Sequence, residues 1–282
     1  MKIALGTVQW GLDYGIANKS GIPLDQDLKA ILEFAKQIGI NMFDTAIQYG
    51  NAEERIGKLL NKRDKIVTKI GGFTQSNNIN YQLKLSLKRL KKKSLYGCLF
   101  HSYKELANNP IFWDQLNEIK NKGTIKKIGY SIYEPEELEH LLMMKMKPDL
   151  VQIPYNILNH KFEPYLEKLK SINTEIHVRS IFLQGLLFKP LTEIPPQLSG
   201  LKPALREINE LCENLELTKL ELLLGFILYN PNIDFAVIGV ETKNQLEEIF
   251  KSQEGKTNKA KINKIPAIYV KNNKLLNPTN WE

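Results

Sequence analysis

The chain has 282 residues, of which 43% are hydrophobic and 25% are charged. This length is compatible with one α/β barrel, and the composition supports a substantial core and argues against a disordered protein. The sequence contains 39 basic and 31 acidic residues, a net charge of +8, which raises the question of a nucleic acid or another polyanion as partner.

Composition and patterning argue against several classes of protein. Cys98 and Cys212 are far apart and match no metal-ligand spacing, so neither a disulfide framework nor a metal site is expected. The N-terminal segment lacks the apolar core of a signal peptide, and no window is long and apolar enough for a membrane span. The densest basic run, 88–93, reads as a solvated helix end without interleaved aromatic residues, which argues against nucleic acid. A cytoplasmic protein is predicted.

Short apolar or β-branched runs alternate with segments of helical periodicity along the whole chain. Strands are predicted at 2–5, 41–44, 65–69, 98–101, 125–130, 150–153, 176–180 and 235–238. Helices are predicted at 25–38, 52–60, 78–92 and 111–121, from 135, and at 165–170, 201–214, 218–229 and 244–251. The alternation indicates parallel strands with helical crossovers, and eight such units predict a single-domain (β/α)8 TIM barrel over residues 1–282.

Two segments lie outside the eight units. The proline-containing stretch 190–203 is predicted as a long loop after the seventh strand, and one interpretation is a lid. A C-terminal tail, residues 252–282, carries apolar patches at 265–270, at 275–276 and at Trp281. The tail is predicted to pack on the barrel surface, with a contribution to the active-site mouth as the alternative.

Titratable residues cluster at the predicted ends of neighbouring strands. Asp44, Lys69 and His101 end the second, third and fourth strands, and Tyr49 follows Asp44 closely. Each has a structural alternative: Asp44 as a cap, Lys69 as a surface lysine, His101 as a core histidine, Tyr49 as a packing residue. Because active sites of such barrels lie at the carboxyl ends of the strands, the four together favour a catalytic site.

The chemistry of these four groups suggests a reduction. An ammonium beside a tyrosine lowers the pKa of the phenol from about 10. Asp44 would hold Lys69 charged, and His101 would orient a substrate carbonyl. A phenol in this setting is a general acid for a developing alkoxide. No side chain delivers hydride, so the pattern implies a nicotinamide cofactor.

The motifs around these residues resemble those of the aldo-keto reductases over nearly the whole chain. They are LGT at 5–7, FDTA at 43–46, YGNAE at 49–53, VTKI at 67–70, LFHS at 99–102, IGYS at 128–131, VQIPYN at 151–156, FLQGLL at 182–187 and IGV at 238–240. The resemblance implies Tyr49 as the general acid, Lys69 and Asp44 as the groups that tune it, and His101 as the group that orients the carbonyl.

The resemblance also implies a set of cofactor-binding residues. Ser131 and Gln152 would hold the nicotinamide carboxamide, and Tyr155 would stack on the ring. Ser180 and the segment 182–186 would lie along the pyrophosphate, and 239–248 would receive the adenosine. The full set is Thr7, Ser131, Gln152, Tyr155, Ser180, Phe182, Gln184, Gly185, Gly239, Glu241, Lys243 and Gln245.

The sequence indicates a nicotinamide cofactor more clearly than it indicates whether that cofactor is NADP(H) or NAD(H). The resemblance favours NADP(H) over NAD(H). Glu241, however, would repel a 2′-phosphate and would suit a ribose diol, and Lys243 is the nearest cation.

For the substrate, Trp10, Tyr14, His101 and the loop 187–199 are expected to line the pocket. The expected partner is a small-molecule carbonyl compound, in which the carbonyl group belongs to a sugar or to a nucleotide-linked sugar. One alternative is a non-catalytic, cofactor-binding regulatory subunit with the same fold. Another is a lyase with Lys69 as a Schiff base, which protonation of Lys69 beside Asp44 disfavours.

Overall fold

The computed structural model describes residues 2–254, 259–262, 265 and 268–281. Its eight strands are β1 (Ile3–Gly6), β2 (Met42–Asp44), β3 (Lys65–Ile70), β4 (Leu95–Phe100), β5 (Ile125–Ser131), β6 (Leu150–Pro154), β7 (Glu175–Arg179) and β8 (Phe235–Gly239). Each strand is parallel to its neighbours, and β8 pairs with β1 to close the barrel. The closed barrel confirms the predicted (β/α)8 fold.

The helices surround this barrel. They are α1 (Asp25–Gln37), α2 (Ala52–Leu59), α3 (Ile79–Arg89), α4 (Tyr103–Asn108), α5 (Ile111–Asn121), α6 (Pro135–Met143), α7 (Glu163–Ser171), α8 (Lys202–Leu215), α9 (Lys219–Leu228), α10 (Lys243–Glu254) and α11 (Lys259–Ile262). The short helix α4 was not predicted. It begins after Ser102, whose hydroxyl accepts a hydrogen bond from the Glu105 backbone N–H at 3.3 Å.

Strand ends differ from the prediction by small shifts that matter for the site. β3 extends one residue past Lys69, to Ile70, and β4 ends at Phe100, so His101 is the first residue after its strand. β4 begins at Leu95, earlier than predicted. The predicted start was too late because Gly97 has no side chain and interrupts the apolar pattern. The Gly97 backbone lies opposite Val67 of β3 in the pairing register.

The interior of the barrel is filled with side chains. Ala4, Met42, Val67, Leu99 and Leu150 form one buried cluster. They come from five different strands, so their contacts cross the inside of the barrel. A larger apolar cluster lies between the strands and the helices. A filled interior leaves the ends of the strands as the place for a site.

A separate apolar cluster joins the loop after β7 to the C-terminal tail. Leu187 and Leu198 of the loop are buried with Ile268 and Leu276 of the tail. The loop is therefore packed along much of its length. Residues 255–258, 263–264, 266–267 and 282 of the predicted tail, and residue 1, lie outside the described residues.

The basic run at 88–93 is engaged with neighbouring elements. Arg89, in the last turn of α3, lies 3.7 Å from Glu53 and 3.3 Å from Glu54. Lys92 donates to the backbone carbonyl of Asn61. Among the helices of the described chain, none is long and apolar enough to cross a lipid bilayer.

Candidate active site

A cavity of about 1100 Å³ opens at the carboxyl ends of the strands. Tyr49 and His101 lie in its wall near the ends of β2 and β4, Ser131 is the last residue of β5, and Gln152 lies in the middle of β6. Glu241, after β8, also faces the cavity. The barrel thus brings residues distant in sequence around one space, as expected for this architecture.

Lys69 and Asp44 form a buried ion pair beside Tyr49. The Lys69 Nζ donates to Asp44 Oδ1 at 2.6 Å, to the backbone carbonyl of Thr45 at 3.1 Å and to the Tyr49 hydroxyl at 3.3 Å. The second Asp44 oxygen accepts from Gln152 Nε2 at 2.7 Å. All three N–H donors of the ammonium are therefore used, and the lysine is fixed against the phenol.

The charge state of Lys69 follows from these contacts. Burial lowers its pKa, but the Asp44 carboxylate and the Tyr49 hydroxyl outweigh burial and leave the pKa above the ordinary value. The amine therefore stays protonated at neutral pH. A protonated amine is not a nucleophile, which disfavours a Schiff-base lyase that uses Lys69.

The Tyr49 phenol keeps its proton over the physiological range. Burial is the largest influence and raises its pKa, Lys69 opposes that rise, and Asp44 adds to it. The net direction is upward, whereas the sequence predicts a lowered pKa for this phenol. The difference arises because burial removes solvent from around the ring, and this effect outweighs the neighbouring ammonium.

His101 is a neutral imidazole in contact with Tyr49. The two rings meet edge to face, with centroids 5.8 Å apart. Burial, followed by the positive charges of Lys69 and Arg179, lowers the pKa of His101 to about 3. Its Nδ1 is buried without a hydrogen-bond partner among the described residues. This ring can therefore form a hydrogen bond to a ligand without carrying a charge.

Polar groups of β5 and β6 lie beside these residues, since Gln152 donates to Asp44. Ser131 Oγ donates to Gln152 Oε1 at 3.5 Å, and the two residues are opposite each other in the strand register. Both face the cavity. A hydroxyl and a carboxamide at this position offer donors and acceptors for a planar amide of a ligand.

The chain after β7 adopts an unusual backbone beside the cavity. Ser180, Leu183 and Gln184 have φ angles of 59°, 46° and 54°, which non-glycine residues rarely adopt. Gln184 is held by its side chain, which accepts from the Ile16 backbone N–H at 3.2 Å and donates to the Tyr14 hydroxyl at 3.1 Å. These bonds join the loop after β7 to the loop after β1, and both loops line the cavity.

The cavity also extends to the segment after β8. Gln9 Nε2 donates to Glu241 Oε1 at 3.3 Å, and Gln9 Oε1 is buried without a partner among the described residues. Gln245 is occupied locally, since its Oε1 accepts from the Glu241 backbone N–H at 2.7 Å. A side chain at Gly239 would bring a Cβ within 2.3 Å of Gln9 Oε1. A Cβ at this position would require the Gln9 carboxamide to move.

Comparison with known proteins gives the family. A family model described as Aldo/keto reductase family matches residues 2–270. The chain belongs to the aldo/keto reductase family. This membership confirms the resemblance read from the motifs, and members of this family are oxidoreductases that act on carbonyl or alcohol groups with a nicotinamide cofactor.

Individual relatives are more distant. A chloroplastic pyridoxal reductase of Arabidopsis thaliana is 28% identical over 218 residues, which span 67% of this chain and 58% of that protein. The holo form of an aldo-keto reductase from Bacillus halodurans aligns with a TM-score of 0.73 at 20% identity, covering 93% of this chain and 91% of that one. A thermostable aldo-keto reductase in complex with the inhibitor epalrestat has a TM-score of 0.68 at 22% identity, with 93% of each chain covered. At these identities the two structures support the fold alone.

Within this aldo/keto reductase, two predicted aromatic contacts do not reach the cavity. Tyr155 is buried, stacks on Phe226 with centroids 5.6 Å apart, and donates to Glu163. It belongs to the packing between the barrel and the helices and is not part of the cavity wall. Trp10 is fully buried, and its indole N–H donates to the Val240 carbonyl at 2.8 Å. Trp10 is therefore a core residue and is not part of the cavity wall.

Lys243 and the loop 187–199 also differ from their predicted positions at the cavity. Lys243 is turned away from the cavity: its Nζ lies 2.9 Å from Glu247 and 5.6 Å from the Phe34 ring. Within the expected substrate loop, 187–199, Phe188 faces the cavity, whereas Leu187 and Leu198 are buried in the cluster with the tail. The remaining predicted cofactor residues line the cavity: Thr7, Ser131, Gln152, Ser180, Phe182, Gln184, Gly185, Gly239, Glu241 and Gln245.

Several cavity residues were not predicted. Arg179, the last residue of β7, faces the cavity, as do Tyr133 and Lys219. Arg179 could have been found by the strand-end reasoning that identified Lys69, had it been extended to the seventh strand. Trp281 of the tail also lines the cavity, so the described part of the tail contributes to the mouth. No local signal in the sequence indicates where this tail folds back.

Proposed function

We propose that this protein reduces an aldehyde or ketone to an alcohol with a reduced nicotinamide cofactor. The observation that carries the proposal is the hydrogen-bonded chain from Asp44 through Lys69 to the Tyr49 hydroxyl, at the wall of a cavity that also contains His101. This chain provides a proton donor, a cation that stabilises the donor's conjugate base, and an anion that fixes the cation. That set matches the needs of protonating a developing alkoxide.

In the proposed reaction, Tyr49 gives its phenolic proton to the carbonyl oxygen. Lys69 stabilises the phenolate that remains, and Asp44 holds Lys69 charged and oriented. Neutral His101 donates a hydrogen bond to the same carbonyl oxygen and positions it. A bound reduced nicotinamide supplies the hydride that forms the new C–H bond.

The cavity fits such a cofactor. In this proposal Ser131 and Gln152 bind the carboxamide, and Ser180 with the segment 182–185 borders the pyrophosphate. Two buried polar atoms, His101 Nδ1 and Gln9 Oε1, lack partners among the described residues and are available to ligand groups. Gly239 keeps the space beside Gln9 open.

The form of the cofactor can be tested at Glu241. The family resemblance favours NADP(H), but Glu241 and Glu248 face the cavity, and Lys243 is paired with Glu247 outside it. These charges support recognition of a ribose diol, and hence NAD(H), because a 2′-phosphate would meet two carboxylates.

Replacing Glu241 by Gln is expected to shift the ratio of dissociation constants toward NADPH on the order of tenfold, because one carboxylate next to the 2′-phosphate is removed. Titration calorimetry with NADH and NADPH measures both constants directly. Glu247→Gln is the matched control, since it removes the same charge from the Lys243 pair outside the cavity. An unchanged ratio in Glu241→Gln would contradict the assignment of this end of the cavity to the adenosine.

The proposed substrate is a small carbonyl compound with polar substituents, such as a sugar or a nucleotide-linked sugar. Tyr14, Tyr133 and Trp281 border the cavity and offer flat aromatic surfaces with polar tips. The name of the plant relative adds a second class, the aromatic aldehyde pyridoxal. A carbonyl panel that contains both classes, assayed by oxidation of the reduced cofactor, ranks them by kcat/KM.

The pH dependence of reduction is expected to be flat from about pH 5.5 to about pH 9. The His101 pKa of about 3 keeps the imidazole neutral throughout this range, and the raised pKa of Tyr49 keeps the phenol protonated. Both groups therefore remain in the form that the reaction needs. A profile of kcat/KM measured with a saturating cofactor tests this, and an inflection near pH 6.5 that disappears in His101→Gln would contradict it.

A further inference from the structure

Arg179 is a half-buried cation at the end of β7, and the proposed chemistry does not use it. Its Nε donates to Ser131 Oγ at 3.3 Å, one terminal nitrogen donates to the Ile132 carbonyl at 3.1 Å, and the other lies 3.4 Å from Ser180 Oγ. The guanidinium carbon lies 4.0 Å from the centroid of the Tyr133 ring. The side chain is thus fixed on several sides.

The positive charge of Arg179 has no carboxylate partner among the described residues. Its hydrogen-bond partners are two hydroxyls and a backbone carbonyl, all neutral. The nearby carboxylate of Asp44 is neutralised by Lys69 at 2.6 Å. The field of Arg179 nevertheless reaches the reacting groups, because it contributes to lowering the pKa of His101 and opposes the rise in the pKa of Tyr49.

We propose that Arg179 makes the site selective for the reduced form of the nicotinamide cofactor over the oxidised form. This inference rests on the proposed function, in which Ser131 and Gln152 bind the carboxamide. Arg179 contacts Ser131, so its charge lies beside the ring that this carboxamide belongs to. The oxidised ring carries a positive charge and the dihydro ring carries none. A fixed cation repels the first and not the second.

The consequence is a bias in cofactor binding. The protein binds the reduced cofactor more tightly and releases the oxidised product more readily, while the bound reduced cofactor becomes a slightly weaker hydride donor than the free one. A reduced-to-oxidised preference of tenfold corresponds to a rise of about 30 mV in the midpoint potential of the bound couple, relative to the free couple. Arg179 is in this role a positioning and tuning residue, since the proton transfer itself belongs to Tyr49.

Two variants separate the charge from the shape of the side chain. Arg179→Met removes the charge and keeps an extended apolar stem, and Arg179→Lys keeps the charge. Lys219→Met is the control, because Lys219 is a second cation lining the same cavity on α9 and has no hydrogen bond to Ser131 among those described. Titration calorimetry gives the dissociation constants of the reduced and oxidised cofactor for each protein, without any substrate or turnover.

The wild-type protein is expected to bind the reduced form roughly tenfold or more tightly, because the two forms differ by one unit charge at short range. Arg179→Met should bring the two dissociation constants to within about threefold of each other, and Arg179→Lys should retain most of the preference. Lys219→Met should change both constants by the same factor.

Other results would overturn the inference. Equal affinities in the wild-type protein would do so, as would an Arg179→Met variant in which both constants change by the same factor. If Arg179→Met does not fold, loss of the preference in Arg179→Lys would count equally against the charge-based account. Failure of the wild-type protein to bind either form would instead refute the proposed function.

Discussion

Replacing Tyr49 by Phe is expected to lower kcat for carbonyl reduction by roughly 10²–10⁴-fold, because the proton donor is lost while the ring remains. The cofactor dissociation constant should change less than about twofold, since Tyr49 donates to no residue assigned to the cofactor. Steady-state kinetics and calorimetry on the same preparation measure the two quantities. The ring contacts with His101 and with the Lys69 ammonium, at 5.8 and 5.0 Å, are retained in the variant.

Tyr14→Phe is the matched control for this variant. Tyr14 is a second phenol in the same cavity, and its hydroxyl accepts from Gln184 at 3.1 Å. Its loss should lower kcat by less than about tenfold, because the lost bond fixes a loop and transfers no proton. Comparable losses in the two variants would contradict the assignment of the proton to Tyr49, and substantial activity in Tyr49→Phe would refute it.

Replacing Lys69 by Met is expected to have the largest effect on stability. The ion pair with Asp44 is buried, with side-chain exposures of 1% and 5%, so the substitution leaves an unpaired carboxylate away from water. Breaking such a pair costs about 3–5 kcal/mol of the free energy of unfolding. Urea denaturation followed by circular dichroism measures the loss, and activity should fall with it because Tyr49 loses its cation.

The double variant Asp44→Asn with Lys69→Met tests the physical reason for that loss. It removes both charges, so it should recover part of the stability lost in the single variant. Lys161→Met is a surface control: its partner Glu134 is 47% exposed, and the expected loss is at most about 1 kcal/mol. Equal losses for Lys161→Met and Lys69→Met would show that the buried pair contributes nothing special.

The sequence was sufficient for the fold and for the centre of the site because both depend on chain order. Alternation of strand and helix patterns predicts parallel strands, and parallel strands place their carboxyl ends together. Asp44, Lys69 and His101 follow from that rule alone, and the structure places them around Tyr49. The shift of one residue at the ends of β3 and β4 does not separate them.

Other site residues were predicted wrongly because the sequence does not show in which direction a side chain points. Tyr155 and Trp10 lie close to cavity residues in sequence, but their rings point into the packed layer. There Tyr155 stacks on Phe226, and Trp10 donates to the Val240 carbonyl. Lys243 was expected to face the cavity and instead pairs with Glu247 one turn later on α10. A rotamer and its nearest partner decide these cases, and neither is visible in a residue pattern.

Two further properties of the site depend on contacts between segments that are distant in sequence. Trp281 reaches the cavity because the tail returns across the loop after β7, a contact set by the apolar cluster that contains Ile268 and Leu276. The pKa of Tyr49 is a similar case: its direction depends on burial, which is a property of the assembled site. Neither property could be read from local spacing.

The central claim is that this cavity brings a reduced nicotinamide and a carbonyl compound together for hydride transfer. The most direct measurement uses reduced cofactor deuterated at the transferring position, a panel of sugar, nucleotide-linked and aromatic carbonyl compounds, and mass spectrometry of the products. The account predicts deuterium on the carbinol carbon of at least one product, and its loss in Tyr49→Phe. Tight cofactor binding with no label transfer to any carbonyl compound would contradict it and would favour a regulatory, non-catalytic subunit.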